Sequence, residues 1–216
     1  MQESRFERFA PLAGVAFVIL VMASFMTFGD GPPSPDEPVE ESARFWAEND
    51  TKLAVSVVLE GLGAIALVFF GAILAQALRP ADGGPVGLWL LPLIGASIAA
   101  TGFLVDASLT LALTSTAEDI SPAGVEALSA FYENDFIPMA GGIAIIALSS
   151  GLLILRSGVL PKWLGWVAIA LFVIGVTPLG FVGFIGMGIW ILVVSVMLFM
   201  RGGRRGGEPA PAAMAS

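Results

Sequence analysis

Apolar residues in this chain come in long unbroken runs, without the alternation or one-sided stripes of a soluble domain. Ala10 to Phe28, Leu53 to Leu78, Leu88 to Thr114 and Phe136 to Leu155 can each, at ~1.5 Å per helical residue, cross most or all of the ~30 Å hydrocarbon core of a bilayer. A further stretch, Trp163 to Met200, has no charged residue and would be ~57 Å long as one helix. Pro178 and Gly180 divide it into spans of about Trp163 to Leu179 and Phe181 to Met200. Gly180, Gly183, Gly186 and Gly188 would also fit a re-entrant or broken segment there. The pattern predicts an all-α polytopic membrane protein, with six transmembrane helices arranged as three hairpins.

The polar segments between these runs have signals of their own. Ser34-Pro35-Asp36-Glu37 reads as a helix start, with a hydroxyl N-cap, Pro at N1 and Glu completing a capping box. Val39, Ala43 and Trp46 then share one face, which predicts a short amphipathic helix on the membrane surface. Ser121-Pro122 opens a second such helix, running through Tyr132. Asp82-Gly83-Gly84-Pro85 marks a tight turn, and residues 206–216 read as a disordered tail. A signal peptide is the rival reading of the first run, but Ala23-Ser24-Phe25 is a poor cleavage site, so a retained helix is expected.

Composition narrows the chemistry. The chain is 56% hydrophobic and 13% charged, against about 25% charged for a soluble domain. Its 216 residues contain neither Cys nor His, which removes disulfides, thiolate and imidazole metal sites and any Ser-His or Cys-His catalytic pair. No cofactor or metal is expected. A net charge of −8 argues against nucleic acid and leaves the lipid bilayer as the main partner. A protein partner or a homo-oligomer is left open.

The charges also divide by side. Six spans would place Arg5, Arg8, Arg79, Arg156, Lys162, Arg201, Arg204 and Arg205 on one side, and Arg44 and Lys52 on the other with most of the loop carboxylates. The positive-inside rule then predicts a bacterial cytoplasmic (inner) membrane protein with both termini in the cytoplasm.

An internal repeat is visible. Ser34-Pro35, Val39-Glu40, Phe45-Trp46 and Glu48-Asn49-Asp50 precede the second span, and Ser121-Pro122, Val125-Glu126, Phe131-Tyr132 and Glu133-Asn134-Asp135 precede the fourth. This suggests one membrane domain over 1–205 built from a parallel repeat, 10–79 and 88–156, with a third hairpin at 163–200.

Between the fourth and fifth spans lies Ile154-Leu-Arg-Ser-Gly-Val-Leu-Pro-Lys-Trp-Leu-Gly-Trp166. It resembles the hairpin turn of a set of uncharacterised six-span bacterial integral membrane proteins in which RSGxLP(R/K)WLG recurs. The likeness covers roughly residues 140–180 and implies architecture alone, with no functional residue to carry over. Physically the segment is a basic turn, a Pro that starts a helix, and Trp163 and Trp166 as interfacial anchors; Trp46 and Trp89 are expected in the same belts.

Two ionisable residues fall inside spans. Glu60 continues a face formed by Ser56, Gly63, Ala64, Gly71 and Ala75, and Asp106 shares one with Gly95, Ala99, Gly102 and Thr110. They are expected at similar depth, ~10–12 Å in, on adjacent antiparallel helices. Intramembrane carboxylates cost ~2.5–3.5 kcal/mol on insertion scales, and no span carries a cation to neutralise them. At least one of the pair is therefore expected to hold a proton, which makes Glu60 and Asp106 the candidate proton- or cation-binding residues. Among the loop acids, Glu48/Asp50 and Glu133/Asp135 are the best placed for a divalent cation, though no EF-hand spacing is present. The function expected from these features is non-enzymatic, an accessory, sensing or assembly role in the membrane. The alternative is a small proton- or cation-coupled transporter working through Glu60 and Asp106.

Overall fold

The computed structural model describes residues 9–28, 31–33, 37–81 and 87–205. The structure within them is helical: α1 (Ala13–Phe28, preceded by a 3-10 turn at Ala10–Leu12), α2 (Val39–Glu48), α3 (Asp50–Leu78), α4 (Leu91–Thr116, preceded by a 3-10 turn at Leu88–Leu90), α5 (Pro122–Tyr132), α6 (Phe136–Ser157), α7 (Lys162–Gly175) and α8 (Gly180–Arg205). Five segments are long and apolar enough to cross a membrane: Ala10–Phe28, Asp50–Leu78, Leu88–Thr116, Pro122–Ser157 (α5 with α6) and Gly180–Arg201.

The fifth expected span is shorter than predicted. α7 stops at Gly175, after 14 residues or ~21 Å. Pro178 has no N–H and disfavours helical geometry at Thr177 before it. Thr177 instead closes a turn: its hydroxyl donates to the Ile174 carbonyl (2.6 Å) and accepts from the Leu179 amide (3.2 Å). The start of α2 also departs from expectation. Residues 34–36 lie outside the described set, but Glu37 is a bend and the helix begins at Val39, with no side-chain cap. Pro38 disfavours helical geometry at Glu37, which keeps Glu37 out of the first turn; the expected Ser34 cap lies outside the described residues. The Ser121 cap does form, with its Oγ accepting from the Gly124 amide at 3.3 Å. The turn at 82–85 and the tail at 206–216 lie outside the described residues.

Helices α1, α3, α4, α6, α7 and α8 form a closed ring in which each runs antiparallel to the next and α8 returns to α1. Small residues set the spacing. A Cβ on Gly71 would lie 2.4 Å from the Ala96 Cβ, and one on Gly142 would lie 2.3 Å from the Ala99 amide nitrogen. Such positions let backbones meet where a side chain would hold them apart. The α6–α7 turn follows the same logic: Gly158 adopts φ +62° and donates its amide to Ile154, Leu160 and Leu164 are buried, and Gly151 and Gly165 abut. The buried Trp190 indole donates to the Leu164 carbonyl at 3.0 Å, tying α8 to α7.

Register along α4 and α6 positions the site. Gly102 faces Met139, so α6 begins about one turn beyond the level of Gly102, whereas α4 continues to Thr116. The end of α4 therefore projects roughly 15 Å past the start of α6. Helices α2 and α5 cover this projection, together with the start of α3. Two separate apolar cores result. The larger fills the ring around Phe17, Leu67, Phe103 and Ile146; the smaller is a cap made of Trp46, Leu53, Leu113 and Ala117, edged by Phe28, Phe45, Leu128 and Tyr132.

Candidate functional site: a carboxyl chain between two cores

A polar layer separates the cap from the ring. On α3, Ser56 and Glu60 are one turn apart and both buried; Glu60 is 4% exposed. Ser56 Oγ lies 2.6 Å from Ser24 Oγ of α1, a buried hydroxyl pair joining the two helices. From α4 come Asp106, partly buried, and Thr110, buried. From the turn between α5 and α6 comes Asp135, 7% exposed. The small-residue faces place these groups: Gly63 lets α1 close on α3, and Gly102 lets α6 close on α4.

The three carboxyls form a chain. Asp106 lies within hydrogen-bonding reach of Glu60 on one side and of Asp135 on the other. An ionised carboxylate only accepts, so a bond at either place needs one proton between its partners. Tyr132 lies close enough to feel all three acids. Asp135 stands outside the long helices; its burial, reinforced by the neighbouring Asp106 carboxyl, pushes it up to about 7. Among the described residues the ion pair is Arg44 with Glu48, both well exposed on α2, so no cation is seen to balance the chain.

An aromatic group closes the site from the cap side. Trp46 is fully buried, and its ring meets Tyr132 edge-on at 5.3 Å, while Phe28 stacks on Tyr132 at 6.4 Å. This corrects the expectation that Trp46 is an interfacial anchor: the projecting end of α4 gives it a core to enter. Trp163 and Trp166 are more than half exposed, as anchors should be. Three buried polar atoms here find no partner among the described residues: Trp46 Nε1, Thr110 Oγ1 and Asp135 Oδ2. Buried polar groups are ordinarily satisfied, so these three atoms mark the layer as polar and loosely packed.

The structure thus brings Glu60 and Asp106 together as their helical faces predict. It adds Asp135, which sequence reasoning took for a loop acid. The available signal was its position immediately before an apolar run. The loop acids proposed for a divalent cation are placed otherwise: Glu48 pairs with Arg44, Asp50 bonds Thr51, and Glu133 is exposed. Among the described residues no group of three acidic side chains is arranged to hold a metal ion. An almost wholly apolar cleft of about 530 Å³ lies elsewhere, between α1 and α8, lined by Phe17, Phe25, Phe181 and Ile185. What the carboxyl chain can do is take up, share and release protons. Comparison of the chain with protein-family models, with curated proteins and with solved structures gave no match.

Proposed function

We propose that this is a proton-responsive, non-enzymatic protein of the bacterial cytoplasmic membrane, with a sensing role carried by Glu60, Asp106 and Asp135. In this reading the six ring helices all enter the bilayer, with α7 reaching only part way, and both termini are cytoplasmic. α6 is ~33 Å long, so a crossing by α6 puts Asp135 at the outer edge of the hydrocarbon. The carboxyl chain then lies at that edge, under the cap, and not ~10–12 Å below it.

The observation that carries the reading is the juxtaposition of Asp106 with the buried carboxyls of Glu60 and Asp135 in a layer that offers no cation. Intramembrane acids are costly and rarely incidental, and one placed under a lid near the aqueous phase is suited to report its pH. Asn49 and Asn134 close α2 and α5 alike, each donating to the carbonyl four residues back (2.9 and 2.8 Å), which supports a parallel repeat. Their neighbours Trp46 and Tyr132 meet face to edge where the two halves join. The likeness of the α6–α7 turn to six-span bacterial proteins points the same way.

The test is proton binding by purified protein in detergent across neutral pH, compared with Glu60→Gln. A lower uptake in the variant supports the reading, and unchanged uptake overturns it. The second reading, a proton- or cation-coupled transporter, uses the same acids. Ion flux into proteoliposomes that is lost with Glu60→Gln would favour it over sensing.

A further inference from the structure

The cap rests on the ring through the carboxyl chain, and its own core is small. Four fully or nearly buried residues, Trp46, Leu53, Leu113 and Ala117, hold α2 and α5 to the ends of α3 and α4. Below them lie polar groups, several without partners, where a packed protein would have apolar contact. Segments with few buried apolar contacts are those that open first. We propose that α2 and α5 form a hinged lid over the carboxyl chain, closed while protons link Glu60, Asp106 and Asp135 and opened when the chain ionises. This deepens the proton-sensing reading and rests on it; it names the moving part and the surface uncovered.

The groups facing Asp135 are Asp106 from α4, Glu60 from α3 and Tyr132 from α5; Glu133 and Asn134 beside it are exposed. From α2 the neighbour of this group is the uncharged Trp46, since Arg44 and Glu48 are exposed and paired with each other. All the ionisable neighbours are acidic or phenolic. Loss of the Asp135 proton removes its bond to Asp106 and places like charge beside like, and no cation offsets it. The sign follows. A carboxyl held above its ordinary value favours the closed state when protonated, and closure weakens as pH rises. For Asp135 the window runs from its ordinary 3.8 to about 7. Opening would carry Tyr132 and Trp46 away from the layer and expose Ala117.

The chain has no cysteine, so a single one is a clean reporter. Ala117→Cys, 5% exposed in the cap core, would be reacted with a membrane-impermeant maleimide. Its rate would be divided by that of exposed Ser115→Cys, to cancel the thiol's own pH dependence. The ratio should rise by up to about tenfold per pH unit between about pH 4 and 7. With Asp135→Asn added, which keeps a donor toward Asp106 but cannot ionise, it should stay low and flat. Hydrogen exchange of the α2 and α5 amides in the unmodified protein reads the same opening without a reporter. Proton uptake with a flat ratio and pH-independent exchange would overturn the lid alone. Absence of proton uptake would overturn the underlying reading, and a rise that persists in Asp135→Asn would overturn the role given to that residue.

Discussion

Gly141 and Gly142 are neighbours on α6, yet a methyl group would meet very different surroundings at the two. At Gly141 nothing lies within 4 Å of the new carbon. At Gly142 it would sit 2.3 Å from the Ala99 nitrogen, 2.5 Å from the Gly95 carbonyl oxygen and 2.7 Å from the Ala99 Cα. All three are backbone atoms of α4, so no side chain can rotate away and the two helices must separate. Overpacking costs ~1–3 kcal/mol, and contacts with a rigid backbone put this case near the top, at ~3 kcal/mol. Alanine gains up to ~1 kcal/mol of helix propensity at either site. Gly142→Ala should therefore be destabilised by ~2 kcal/mol and Gly141→Ala unaffected or slightly stabilised, a gap of ~3 kcal/mol or roughly a hundredfold in the folding equilibrium. Reversible unfolding in mixed micelles, titrated with a denaturing detergent, measures both. Because the same helix pair brings Asp106 to Asp135, Gly142→Ala should also reduce proton uptake near neutral pH. Equal midpoints for the two variants would show that α4 and α6 do not pack on this seam.

Four further outcomes follow from particular contacts. Trp190→Phe leaves the Leu164 carbonyl without its indole donor and should cost ~1–3 kcal/mol in the same unfolding assay. Gly158→Ala, in open space but at φ +62°, should cost ~1 kcal/mol through backbone strain alone. A double-mutant cycle on Ser24→Ala and Ser56→Ala should return a coupling of ~0.6 kcal/mol, the usual size for a hydroxyl pair between membrane helices; zero coupling would separate α1 from α3 there. Stability should fall as pH rises from about 4 to about 7, because folded Asp135 holds its proton more tightly than the unfolded chain does, and Asp135→Asn should remove that part of the slope.

The long helices are legible in the sequence because a bilayer imposes a length that no soluble core demands, and α3, α4 and α6 begin and end within a few residues of the apolar runs. The pairing of Glu60 with Asp106 is legible for a related reason: each shares a helical face with small residues, and a short connection makes the helices antiparallel. Four features are hidden. α7 ends early because Val176 and Leu179 are as apolar as the helix before them, so composition does not mark the break that Pro178 makes. α2 starts late because Pro38 keeps Glu37 out of helical geometry. Asp135 joins the site through the register of α6 on α4, which the Gly102–Met139 contact sets and which its place just before an apolar run does not by itself reveal. Trp46 is hidden in the same way, since its burial requires the end of α4 to stand clear of α6.

The account depends on protons being held among Glu60, Asp106 and Asp135 at neutral pH. Infrared difference spectroscopy of the protein in lipid, which separates protonated from ionised carboxyl groups, reads this directly. The wild type should show a protonated-carboxyl band at pH 7 that weakens in Glu60→Gln and again in Asp135→Asn. A spectrum with every carboxyl ionised at pH 7, unchanged by either substitution, would contradict it.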